Sequence, residues 1–241
     1  MAIYHKIDAR SPEWFWMRLG MPTASEFHKI VTPGGKISAQ AEGYAYVLLA
    51  EAKLGHPLDS VETQWMTRGI ELEDEAIKAY EFEVDIETDL GGFVSNDEGT
   101  YGCSPDRLVG EDGILEMKCP APNTHMGYLL SPASMAKEKW PQVQGQLLVT
   151  GRSWDDLMSY HPELPAVILR VERDAKYISI LQTALETFVE QVRAMRAQLE
   201  EKYGPFPDLT PKREVVEDNL GVSDADVDAM LISGASVPQG L

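Results

Sequence analysis

Cysteine is scarce in this chain: Cys103 and Cys119 are the only two in 241 residues. Two thiols cannot build a disulfide framework, an all-cysteine zinc site or a four-cysteine iron–sulfur cluster. Their scarcity fits a reducing compartment, so a cytoplasmic protein is expected. Long apolar runs are missing as well. No stretch nears the roughly 18 residues of a membrane span, and Met1-Ala2-Ile3-Tyr4-His5-Lys6 lacks a signal-peptide h-region, so no membrane partner is expected. The histidines His5, His28, His56, His125 and His161 show no zinc-ligand spacing. No G-x(4)-G-K-[ST] run is present, which excludes a P-loop motor. Positive charge is the largest shortage: 21 Lys and Arg against 39 Asp and Glu, a net charge of −18. Such a field repels nucleic acid and anionic membrane. It leaves room for a locally basic groove, because phosphate contacts depend on local charge and salt.

What is present is the composition of a folded domain, 44% hydrophobic and 25% charged. Ser11-Pro12-Glu13 predicts an N-capped helix running to Arg18. Thr23-Ala24-Ser25-Glu26 has the spacing of a capping box, predicting a second helix. Further helices are expected over Ala39–Leu54, Gln64–Phe82, Trp140–Val149 (Pro141 in its first turn) and Thr183–Lys202. Strands are expected at Gly91–Ser95, Gly99–Cys103, Gly113–Cys119 and Ala166–Glu172. Helices flanking a small mixed sheet make the fold α/β or α+β. Composition changes at Gly204-Pro205: residues 205–241 carry seven acids, two bases and the breakers Pro205, Pro207 and Pro211. They read as an appendage to a 1–204 domain, with one candidate helix at Val222–Leu231.

The chemistry should lie at Cys103-Ser104-Pro105-Asp106 and in the strand that carries Glu116 and Lys118. In a strand, Ile114, Glu116 and Lys118 share one face and Leu115, Met117 and Cys119 the other. Asp106 and Glu116 are hard oxygen donors suited to Mg²⁺ or Mn²⁺, and Lys118 could orient a bound water. The alternative is a plain cross-strand salt bridge. Glu73 falls among Gly69, Ile70, Ala76, Ile77 and Tyr80 on one helix face, where an unpaired carboxylate is costly. It calls for a metal, a lysine or neutralisation, unless it snorkels at the stripe's edge. Gln142 and Gln146 form an i, i+4 pair able to hold other side chains. Arg18 and Ser25 converge on the expected start of the second helix, where backbone N–H groups and the helix dipole favour an anion. Arg18 could equally pair with a carboxylate.

Together these segments carry a resemblance. Ser104-Pro105-Asp106, nine residues, then Glu116-Met117-Lys118 has the PD-x(n)-E-x-K form of the restriction-endonuclease-like superfamily. Arg18-to-Ser25, Cys103-to-Asp106, Leu115-to-Pro120, Gln142-Val143-Gln144 and Val171-to-Tyr177 resemble, in order and spacing, the motifs of lambda exonuclease and its viral-recombinase relatives. The resemblance spans about Trp14 to Glu200. It implies a restriction-endonuclease-like core and a Mg²⁺-dependent exonuclease. Such an enzyme degrades one strand of linear duplex DNA 5′→3′ to mononucleotides and leaves a 3′ overhang for phage-type recombination. By the same resemblance Asp106, Glu116, the Met117 carbonyl and Glu73 hold metal, Lys118 positions water and Gln142 supports the site. Arg18, Ser25 and Ser104 match positions that bind a terminal 5′-phosphate. Trp14 and Met66 match positions that part the end base pairs, and Lys36 a groove contact. Two positions depart from the pattern: Met66 is a slight wedge, and Pro33-Gly34-Gly35-Lys36 offers no arginine. The family further implies a homotrimeric ring around DNA and a single-strand annealing partner. A structure- or sequence-specific endonuclease of the same superfamily, or a non-catalytic DNA-end-binding module, are the competing readings.

Overall fold

A computed structural model describes residues 2–58, 68–69 and 71–208; Met66 and the candidate helix at 222–231 lie outside them. Ile3–His5 forms β1. Pro12 opens α1 (Pro12–Arg18), and Ser11 caps it by accepting the Trp14 N–H at 3.2 Å. The second expected helix is instead a six-residue 3₁₀ turn, Ala24–Lys29, and Thr23 makes no side-chain cap bond. The physical reason is local. Glu26, the far half of the expected capping box, pairs with Lys29 at 2.5 Å and does not reach back to Thr23.

Ala41–Leu54 forms α2, closed by Gly55 in the left-handed conformation that glycine adopts without Cβ strain. Glu73–Val84 forms α3. Five short strands follow: β2 (Thr88–Leu90), β3 (Phe93–Ser95), β4 (Gly102–Cys103), β5 (Arg107–Val109) and β6 (Gly113–Lys118). The helices α4 (Pro122–Leu130) and α5 (Pro132–Thr150) lead to β7 (Trp154–Ser159), β8 (Val167–Glu172) and α6 (Ala175–Tyr203). Two helix starts lie earlier than expected. Pro132, not Pro141, occupies the first turn of α5, leaving Pro141 buried in mid-helix. Asp174 starts α6 by accepting the Lys176 and Tyr177 N–H groups at 3.0 Å, upstream of the expected Thr183.

β1, β3 and β4 make a small antiparallel sheet, and the main sheet runs β2-β5-β6-β7-β8. Its centre is the parallel β6–β7 pair, with Glu116 opposite Leu157; its other pairs are antiparallel. The sheet is therefore mixed and the class α+β, as the sequence implies. Alternation along β6 divides the core as predicted. Ile114 packs with Met135, Val143 and Leu147 under α5. Leu115 and Met117 pack with Ala76 and Tyr80 of α3 on the other face. α5 also presses on the 3₁₀ turn: a Cβ at Gly145 would sit 2.4 Å from the Phe27 ring. Only glycine permits that approach, which brings the Arg18–Ser25 segment beside the helix carrying Gln142. Beyond α6, Phe206 is buried against Leu49 and Ala52 of α2, and Lys53 donates to the Gly204 and Pro205 carbonyls at 2.9 and 2.8 Å.

Candidate active site

β5 begins only at Arg107, opposite Leu115, so Asp106 lies just before the strand while β6 continues to Lys118. The Asp106 carboxylate takes the place of the missing strand: Oδ2 accepts the Met117 N–H at 2.6 Å. This fixes Asp106 beside Glu116 and Lys118. Glu116 is 2% exposed, an untenable place for an unpaired carboxylate. It is held from α5, where Gln142 Nε2 donates to Oε1 and Gln146 Nε2 to Oε2, each at 2.6 Å, and Lys118 Nζ also bonds Oε1. The i, i+4 spacing of the two glutamines places both amides on one carboxylate.

A cavity of about 650 Å³ opens over this cluster. Asp106, Met117, Lys118 and Cys119 line one part, Glu73, Gly69, Arg10 and Trp14 another, and Thr124, Tyr128, Glu138 and Lys139 a third. Glu73 does have a partner, Arg10, whose guanidinium bonds its Oε2. An arginine was not among the partners the sequence suggested. Tyr128 donates to Glu138 at 2.9 Å and Lys139 pairs with Glu138 at 2.7 Å, so this wall carries charge of both signs.

The electrostatics favour added positive charge. Burial, then the neighbouring Glu116 carboxylate, pushes Asp106 well above the ordinary carboxylate range, against the opposing pull of Lys118. Burial alone would lower the Lys118 ammonium, but Glu116 and Asp106 outweigh it and hold it above the usual lysine range. Lys118 is thus a firmly protonated donor. Beneath the cluster Asp155 is fully buried with neither oxygen hydrogen-bonded, and burial followed by Glu116 raises it far above its normal value. A neutral carboxyl is the species such a place admits. Burial likewise pushes the Cys119 thiol up to about 11 and raises Cys103, so neither is poised as a thiolate; Cys103 is a core residue and Cys119 a half-buried one at the cavity wall.

The donor set fits Mg²⁺ or Mn²⁺. Among the described residues no three His, Cys, Asp or Glu side chains are gathered to enclose a metal ion. Mg²⁺ needs no such cage, since one or two carboxylates plus water and a substrate phosphate complete its shell. Asp106 and Glu116, the Met117 carbonyl and Glu73, which lines the same cavity, are oxygen donors of that kind.

A second cluster adjoins the first through Trp14 and Ser104. Trp14 Nε1 donates to Ser104 Oγ at 2.7 Å, and the Arg18 guanidinium lies 3.9 Å over the Trp14 ring. Arg18 also reaches Ser104 Oγ and Thr23 Oγ1 at 3.4 Å, and Thr23 Oγ1 lies 3.4 Å from Ser25 Oγ. Among the described residues no carboxylate forms an ion pair with Arg18, so the expected alternative of a carboxylate partner is not what the fold builds. The cluster does not sit on an α-helix N-terminus, because the 3₁₀ turn provides none. Its anion-binding capacity rests on a guanidinium and three hydroxyls. Lys36 lies apart, in the exposed turn between Val31 and Ile37, and does not line the carboxylate cavity.

Sequence reasoning missed Arg10, Tyr128, Glu138, Lys139 and Asp155. Lys139 had a usable signal, three residues before Gln142 on the same helix face. Asp155 had none: Asp155-Asp156 reads as a polar turn, although it lies in a buried strand. Asp156 is satisfied there by the Tyr80 hydroxyl and by two bonds from Arg170, all at 2.8 Å.

Known proteins resemble this chain in sequence and in fold. The profile of the YqaJ-like viral recombinase domain matches residues 13–153. Two crystal structures of an alkaline exonuclease from Laribacter hongkongensis, one in complex with dAMP, are each 31% identical to this chain. Both cover 80% of it and 97% of their own chains, with TM-scores of 0.72 and 0.71. A phage-related exonuclease from Haemophilus somnus 129PT shares the fold at 15% identity and a TM-score of 0.59, covering 73% of this chain and 96% of its own. No curated protein matches the sequence. With more than half its length inside the domain profile and the fold of the Laribacter enzyme shared over 80% of the chain, the protein belongs to the YqaJ-like viral recombinase family.

Proposed function

We propose that this protein is a divalent-metal-dependent exonuclease that digests one strand of linear duplex DNA from its 5′ end, releasing mononucleotides and leaving a 3′ overhang for recombination. The observation that carries the reading is the Asp106–Glu116–Lys118 cluster at the floor of an open cavity, joined through Trp14 and Ser104 to the Arg18 cluster. In this reading Asp106, Glu116, the Met117 carbonyl and Glu73 hold Mg²⁺ or Mn²⁺. When bound, such a metal would supply Lewis-acid activation of a water and charge stabilisation for the leaving oxygen.

The protein's own groups do the rest. Gln142 and Gln146 keep the Glu116 oxygens in place, as hydrogen-bonded supports of metal ligands do. Lys118, a protonated donor beside Glu116, orients the attacking water and meets charge building on the phosphate. Arg18, Ser25 and Ser104 take the terminal 5′-phosphate, with Arg18 offering a planar fork to its oxygens. Trp14, stacked under Arg18, and Met66 would part the end base pairs, and Lys36 would make a groove contact. A homotrimeric ring would turn these faces toward enclosed DNA and leave the net negative charge outside. A single-strand annealing protein would receive the 3′ strand.

The test is digestion of duplex DNA labelled separately at each end, beside a covalently closed circle, in Mg²⁺. Mononucleotides released from 5′ ends of the linear substrate, with the circle untouched, support the reading. Internal cuts in the circle would replace it with an endonuclease.

A further inference from the structure

We propose that Arg10 is a built-in competitor for the metal position at Glu73, and that a divalent cation entering there frees its guanidinium to bind a phosphate of the substrate. This rests on the metal-dependent reading above. Arg10 lies in the turn before α1 with φ 64°, one of only two described non-glycine residues with positive φ, the other being Asp85 at the C-cap of α3. Left-handed backbone is unfavourable for a side chain of this size. The turn is closed by the Ser11 N–H donating to the Asp8 carbonyl at 3.2 Å, just before Ser11 caps α1.

The conformation carries the guanidinium to the cavity wall, where it bonds Glu73 Oε2 and lines the same space as Asp106 and Lys118. Arg10 is 44% exposed and Glu73 27%, so the pair sits at the cavity mouth, not in its floor. Lys118 bonds Glu116, and Arg10 supplies the positive charge that bonds Glu73. A cation held by Asp106 and Glu73 would compete with Arg10 for the Glu73 carboxylate and repel the guanidinium. A displaced arginine at the mouth of a phosphodiester site meets the group it binds best, a phosphate oxygen pair.

The experiment is calorimetric titration of the full-length protein with Mn²⁺ alone, comparing wild type, Arg10→Gln and Arg10→Lys, with folding checked by circular dichroism. Arg10→Gln should bind Mn²⁺ about two- to fivefold more tightly, the scale of a half-exposed ion pair. Arg10→Lys, which keeps the charge and the backbone conformation, should stay within about twofold of wild type. Equal affinity in wild type and Arg10→Gln, or an equal gain in both variants, overturns the competition. Wild type that takes up no Mn²⁺ overturns the nuclease reading itself, and this inference with it. Duplex binding in Ca²⁺, on DNA verified intact, tests the second half. The slope of log affinity against log salt should be shallower in Arg10→Gln by about 0.9, one phosphate contact. An unchanged slope removes the phosphate contact.

Discussion

Gln146 separates the stability of the fold from the chemistry of the site. Its Nε2 donates to Glu116 Oε2 at 2.6 Å, while its Oε1 is buried without a donor. Gln146→Met keeps the volume and helix propensity and removes both polar groups. Losing a hydrogen bond to a carboxylate costs about 1.5–3 kcal/mol, and removing an unsatisfied buried carbonyl relieves about 1–3 kcal/mol. The two effects oppose each other. Urea unfolding of the metal-free variant should therefore fall within about 2 kcal/mol of wild type. Metal binding has no such offset, because Glu116 loses one of the two amides that aim its oxygens. Mn²⁺ affinity, measured by calorimetry, should drop by about 10- to 100-fold. Near-wild-type Mn²⁺ affinity would refute the reasoning, since Glu116 would then be placed without Gln146.

Gly145→Ala sets a Cβ against the Phe27 ring and should cost about 1–3 kcal/mol in urea melts; a variant as stable as wild type would mean that the α5 contact is loose. Asp106 and Asp155 both have raised native values, so between the ordinary carboxylate pKa and the raised one the folded chain holds protons the unfolded chain has lost. Stability of the metal-free protein should then fall as pH rises from about 5 to about 8, and Asp155→Asn should flatten the slope; a melting temperature that climbs across this window contradicts the assignment. Duplex with a 5′-phosphate should be digested faster than 5′-hydroxyl duplex, and Arg18→Ala should erase most of the difference. Equal wild-type rates on both substrates would remove the Arg18 cluster from the mechanism.

The site was more legible in the sequence than the fold around it. Period-two alternation through Gly113–Lys118 placed Glu116 and Lys118 on one face, and β6 confirms it by sending Ile114 under α5 and Leu115 under α3. Glu73 was marked by its apolar neighbours, which demanded a partner. The identity of that partner was not legible, because Arg10 reaches it from 63 residues away through an irregular turn. β7 was hidden by Asp155-Asp156, whose burial depends on Arg170 and Tyr80 from distant segments and on a protonated carboxyl. The 3₁₀ turn was misread because the Thr23–Glu26 spacing says nothing about Lys29, the nearer partner for Glu26. Pro141 misled for the opposite reason. Its missing N–H disfavours mid-helix placement by about 3 kcal/mol, yet its burial within α5 outweighs that local preference.

The initial rate of Asp106→Ala on 5′-phosphorylated linear duplex in Mg²⁺ tests most directly whether the carboxylate–lysine cluster is the hydrolytic centre. The variant's fold is to be verified by circular dichroism and its duplex binding measured in Ca²⁺. Removing a group that places several kcal/mol of transition-state stabilisation should slow hydrolysis by about 10³-fold or more while the folded protein still binds duplex. A folded Asp106→Ala protein that digests duplex at close to the wild-type rate would contradict the assignment of the site.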